Sequence, residues 1–173
     1  MPNKDEEGCL PTKKGGDGMS TATALQLMCE GLRANVDAIT LNWVQRVKRN
    51  PEIESDEDLT LSQLIDHIPE MIEEICYLLT QEEDLDFEKI RAATKHGFMR
   101  SAEGYSLSEL LRELELLRDC IFGFLADYIA DKRLSSQDAV RALRRINRYF
   151  SDDVLFVVDH YLKRGENPRL KSK

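Results

Sequence analysis

The side chains with reactive chemistry are three histidines, four cysteines and an excess of carboxylates. His96 stands in the segment "KHGFMRSAEGYSLSELLREL", Lys95 to Leu114. An imidazole there is able to accept a phosphoryl group, ligate haem iron, or tie helices together as a polar residue. On a helix, Ala92, His96, Met99, Arg100 and Glu103 share one face by i, i+3 and i, i+4 spacing. The small residues Ala92, Ala93, Gly97, Ser101 and Ala102 let such a helix approach a neighbour closely. Tyr105 follows the break at Gly104, and Glu109 and Glu113 lie on the next helix. The expected internal site, for a ligand or a switch, is therefore His96, Arg100 and Tyr105, with Glu109 and Glu113 as carboxylate partners.

Other chemistries lack their residues. His67, His96 and His160 show no i, i+4 pair and no E-x-x-H spacing, so no metal is expected. Cys9, Cys29, Cys76 and Cys120 contain no C-x-x-C pair and read as reduced thiols. "KKGGDG" has phosphate-loop glycines but no preceding strand. No G-x-S-x-G or reactive-cysteine signature occurs. A non-enzymatic protein without a cofactor is expected. Two alternatives for His96 stay open. Histidine phosphotransfer domains carry a motif like H-x-L-K-G-x-A; here Phe98 and Ala102 fit, but Met99 and Arg100 replace the lysine and glycine, and the arginine would obstruct a partner's approach. A haem sensor would place its proximal histidine on a helix followed by two long helices, which is the order here, but it also needs an apolar distal cavity.

A net charge of −8 and a pI near 5.0 argue against nucleic acid as a partner. Arg141, Arg144, Arg145 and Arg148, followed by Lys163, Arg164, Arg169, Lys171 and Lys173, form the local exception. They read as a solvated face and basic tail, with docking of an acidic protein as the sharper alternative. No run of eighteen apolar residues is present, so no membrane partner is expected. The polar N-terminus lacks the apolar core of a signal peptide. A cytoplasmic location is expected.

The elements that must hold the site follow from periodicity. Residues 1–20, with four glycines and little apolar content, read as a disordered tail. Leu25, Met28, Leu32, Val36, Ile39, Trp43 and Val47 predict one long amphipathic helix ending near Asn50-Pro51. A second begins near Thr60, and Pro69 should kink or split it, with His67 a polar neighbour of the bend. Asp86 is expected to cap a helix from Phe87 to about Glu103, closed by Gly104. Ser106 and Glu109 spell a capping box. The helix that follows, apolar on nearly all sides from Cys120 to Ala130, should be central. A last helix, capped by Ser135 or Ser136, carries Val140, Leu143, Asn147, Phe150, Val154, Val157, Val158 and Tyr161 and ends near Arg164-Gly165. No strand alternation is seen. The expected architecture is all-α, a single bundle of five to six helices over residues 21–164, with 165–173 as a basic tail or linker.

"NWVQRV", "LSQLIDHIPEMIEEI" and "ATKHGFMRSAEGYSLSELLRELELLRDCI" together resemble the N-terminal sensor domain of RsbRD-type RsbT co-antagonists, also found ahead of some bacterial sensor histidine kinases. The resemblance spans about residues 24 to 162. It rests on the pattern H-G-x-x-R, G-Y-x-L-x-E-L-x-x-E and L-R, at His96, Gly97, Arg100, Gly104, Tyr105, Leu107, Glu109, Leu110, Glu113, Leu117 and Arg118. It implies a bacterial, cytosolic regulatory domain with a globin-like helical order but no haem, signalling by contact with a protein partner, with a homodimer through a helix face as one form. Family members usually continue into an output module. Gly165 and Pro168 should interrupt a continuous signalling helix, which leaves a stand-alone domain and a fragment as the two expectations.

Overall fold

A computed structural model describes residues 20–54, 60–81 and 92–166. All of their regular structure is helical, in the order α1 (Thr21–Ala34), α2 (Val36–Val47), α3 (Leu61–Ile65), α4 (Ile68–Thr80), α5 (Ala92–Ala102), α6 (Leu107–Lys132) and α7 (Ser136–Glu166). The all-α bundle is as expected; with the five-residue α3 set aside, six helices build it. The expected cap at Asp86, the start at Phe87 and the two tails' outer residues lie outside the described residues.

The first predicted helix is in fact two. Asn35, at φ −121° and ψ 16°, separates α1 from α2, and its Nδ2 donates to the Gly31 carbonyl at 2.8 Å. An asparagine side chain offers the backbone a partner that competes with the helical ladder. The second predicted helix divides at Pro69, which sits in the first turn of α4 where a missing N–H costs nothing. Thr60 and Gln63 start α3 with a reciprocal capping box, and Ser106 and Glu109 do the same for α6.

Gly104, at φ +96°, closes α5. It lets the Tyr105 N–H turn back to the Arg100 carbonyl at 3.0 Å, the 6→1 bond of a Schellman end. Ser135 caps α7 by accepting the Asp138 N–H at 3.1 Å.

The bundle packs around α6, which touches α1, α2, α5 and α7, while α4 lies against α1 and α7. Leu110, Leu114, Leu117, Ile121 and Leu125 of α6 are buried, and each such side chain contributes roughly 1.5–3 kcal/mol on leaving water. The later part of α6 is less enclosed than its composition suggests: Phe122 and Phe124 are only partly buried. The buried face of α7 is also rotated from the expected stripe. Ala142, Ile146, Tyr149, Phe150, Asp153 and Val157 face inward, whereas Val140 is half exposed and Asn147 exposed. The rotation brings the small Ala142 and the polar Tyr149 and Asp153 inward, residues that an apolar stripe does not count.

Candidate functional site

His96 and Arg100 are one turn apart on α5, and Gly97 between them sets the helix on α7. A Cβ at Gly97 would come within 2.7 Å of Val157 Cγ2, so only glycine permits this approach. Arg100 then reaches α6 and α3. Its Nε–H donates to the Glu113 carboxylate at 2.9 and 3.2 Å. Its Nη1 donates to Glu103 Oε2 at 2.8 Å and the Gln63 carbonyl at 3.3 Å, and its Nη2 to the Leu64 carbonyl at 2.9 Å. Arg100 and Glu113 are both 0% exposed. Such a buried pair survives only when the remaining donors are also satisfied, as they largely are here. The guanidinium also lies 5.2 Å from the Tyr105 ring centroid.

Glu113 is held from both ends. Its carbonyl accepts the Trp43 indole N–H at 3.1 Å, tying α2 to α6. Its Oε2 lies 3.4 Å from His96 Nε2. Against the other side of His96 stacks His67, with ring centroids 3.8 Å apart and planes inclined by 25°. Trp43 meets His67 edge-on at 5.9 Å. His67 Nδ1 is 3.2 Å from Asp66 Oδ1. His67 Nε2 and His96 Nδ1 are buried and have no hydrogen-bond partner among the described residues.

Burial pushes both imidazoles well below the ordinary histidine range, helped by each one's cationic neighbours. Burial also raises the Glu113 carboxyl, against the pull of Arg100. Arg100 feels the same burial, but Glu113 and Glu103 outweigh it and hold its guanidinium above its usual value. The site thus consists of two neutral, stacked imidazoles beside a charged, buried fork.

Of the five expected site residues, His96, Arg100, Tyr105 and Glu113 come together and Glu109 does not. Glu109 accepts the Ser106 N–H at 2.8 Å with one oxygen and the Glu54 N–H at 3.0 Å with the other, so it caps α6. Sequence reasoning did not find His67 and Trp43 as members. The available signal for His67 was its place before Ile68-Pro69, the position that caps a helix.

No group of three metal-ligating side chains occurs among the described residues. A cavity of about 550 Å³ lies elsewhere, lined by Ser20, Leu25, Leu79, Gln81, Arg141 and Arg145 among others. Arg145 is not a free docking cation, because it donates to the Leu78 and Leu79 carbonyls at the end of α4.

A second buried polar group joins α4 to α7. Tyr149 Oη donates to Glu74 Oε2 at 3.0 Å. Asp153 beside it is 4% exposed, and neither carboxylate oxygen has a hydrogen-bond partner among the described residues. Burial, with Glu74 nearby, pushes its carboxyl up to about 7.

The family model described as "RsbT co-antagonist protein rsbRD N-terminal domain" matches residues 37–167. No curated protein and no solved structure matches the chain.

Proposed function

The chain belongs to the RsbRD N-terminal domain family, a regulatory domain of stress-response signalling, and from that premise we propose a non-enzymatic sensor that passes its state on by contact with a protein partner. The family's description, co-antagonist of RsbT, supports a protein rather than a small molecule as the output. The setting we infer is the bacterial cytoplasm. No described helix is long and apolar enough to cross a membrane.

The observation that carries this reading is the Arg100 fork. One side chain of α5 holds the carboxylate of α6 and two carbonyls of α3. A ligand or partner that shifts α5 must rearrange all three connections together, which is the property of a two-state element. The burial of His96, 1% exposed and stacked on His67, speaks against phosphoryl transfer from an accessible imidazole. The order His96, Gly104 corner, α6, α7 supports the globin-like arrangement as part of the proposal. Exposed Phe98, Leu155, Phe156 and Leu162 supply apolar surface for the contact, with a partner or with a second copy.

The test is binding of the full chain to an RsbT-type protein from the same genome, by titration calorimetry. A saturable complex is expected, with affinity changed at least several-fold by Glu113→Gln. No binding by a chain whose helical circular dichroism is intact would overturn the partner. Added hemin should give no Soret band; a stoichiometric one would revive the haem reading.

A further inference from the structure

Helices α1 and α4 run antiparallel, because Cys29 meets Cys76 while Arg33, one turn later, meets Glu73, one turn earlier. Cys29 and Cys76 are both 0% exposed. The Cys29 thiol reaches the Cys76 carbonyl at 3.5 Å, and the Cys76 thiol reaches the Cys29 carbonyl at 3.6 Å. The reciprocity matters. Each sulfur lies against the other residue's backbone, so the two cysteines face each other across the α1–α4 seam. A disulfide requires Cα atoms about 4.4–6.8 Å apart and side chains pointing toward each other; the reciprocal contacts put each side chain on the other residue, which is the starting arrangement for such a bond.

We propose that Cys29 and Cys76 form a dithiol that a hydroperoxide converts to a disulfide, stapling α1 to α4. The two sulfurs differ in readiness. The Cys76 side chain beside it draws Cys29 toward thiolate; burial opposes this and the Arg33 cation assists it. The same thiol contact, with burial, pushes Cys76 the other way. In the proposed order the Cys29 sulfur, on the Arg33 side, attacks the peroxide as its thiolate. Its sulfur takes one oxygen, the O–O bond breaks, and the departing hydroxide picks up a proton as water, which leaves a sulfenic acid. The Cys76 sulfur then attacks the Cys29 sulfur. The S–S bond forms, the S–O bond breaks, and a second water leaves with the Cys76 proton. Two thiols and one hydrogen peroxide give one disulfide and two waters. The Arg33–Glu73 ion pair, with both side chains about half exposed, lies one turn toward solvent, and entry of the oxidant from that side is part of the proposal.

The proposal is independent of the partner assignment. Its consequence is positional: α1 lies ahead of the family-matched residues and is separated from α2 by the Asn35 break. Oxidation would add a covalent bond to the packing and the Arg33–Glu73 ion pair that hold it to α4.

The test uses the full chain, folded, treated with hydrogen peroxide, alkylated and mapped by peptide mass spectrometry. A Cys29–Cys76 cross-linked peptide lighter by two hydrogens is expected, reversed by dithiothreitol, in a monomeric band on non-reducing gels. Cys120, also buried, whose sulfur has Arg46 Nη1 at 3.9 Å, serves as the internal control and should remain alkylatable. The melting temperature of the wild type should rise by several degrees on oxidation, and that of Cys76→Ala should not. A bond to Cys9 or Cys120 instead, a cross-link that appears only in urea, or full alkylation of Cys29 and Cys76 after peroxide would each overturn the proposal. The wild-type map alone decides, so a variant that fails to fold leaves the result intact.

Discussion

The Arg100 guanidinium meets the Glu113 carboxylate at 2.9 Å with neither group reaching solvent. Removing one partner of such a buried pair costs about 3–5 kcal/mol, and in Glu113→Gln the Glu103 carboxylate still on Arg100 Nη1 at 2.8 Å keeps the loss at the lower end. Glu113→Gln is expected to lower the unfolding free energy by that order, read from the urea midpoint. Arg100→Met combined with Glu113→Leu should recover only part of the loss, because the Gln63 and Leu64 carbonyls lose their donor in the double variant too.

His67 and His96 give the protein an acid limb. Their folded pKa values lie below the unfolded value of 6.5. Above that pH both rings are neutral in both states, and they add no pH dependence. As the pH falls below it, the unfolded chain binds protons that the folded chain refuses, so stability falls. Melting temperatures are expected to decline from pH 6.5 downward, and His96→Gln should make that decline shallower.

Asp153 acts in the opposite sense. Its carboxyl is raised from 3.8 to about 7. Below pH 3.8 it is neutral in both states. Between there and pH 7 the unfolded chain ionises first, and stability is lost as pH rises, with the full cost present above 7. A shift of that size is equivalent to about 4 kcal/mol at the upper bound. Asp153→Asn is expected to stabilise the protein by about 2–4 kcal/mol at pH 8, with the gain vanishing near pH 4. Denaturant titrations at the two pH values measure it.

Gly97 and Val157 form a packing couple. Gly97→Ala places a methyl group 2.7 Å from Val157 Cγ2, an overpacking expected to cost about 1–3 kcal/mol. Val157→Ala removes the obstructing methyls. The double variant should be more stable than the sum of the two single losses predicts, and a double-mutant cycle by thermal unfolding gives the coupling.

Most helices were legible because their ends are written in local chemistry. Ser106 with Glu109 and Gly104 before them mark a corner that needs no tertiary information. Asn35 was missed because Leu32, Val36 and Ile39 keep helical spacing straight across it, so periodicity sees no break. The site was partly legible for the same reason: His96 and Arg100 are one turn apart. Glu109 was assigned two roles from its sequence, cap and site partner, and its two oxygens serve the cap and the Glu54 amide. Glu113, one turn on, was left to meet Arg100. His67 lies 29 residues before His96, and only the packing of α4 against α5 stacks the rings.

Five residues are too few to hold a helix on their own hydrogen bonds. The carbonyls of Gln63 and Leu64 in α3 find their donor in Arg100, on α5, some 36 residues further along the chain. The turn is thus a latch whose bolt is mounted on another part of the frame. Draw the bolt, and amides around residues 63–67 become the first to exchange with solvent, while α6 and α7 still read as intact.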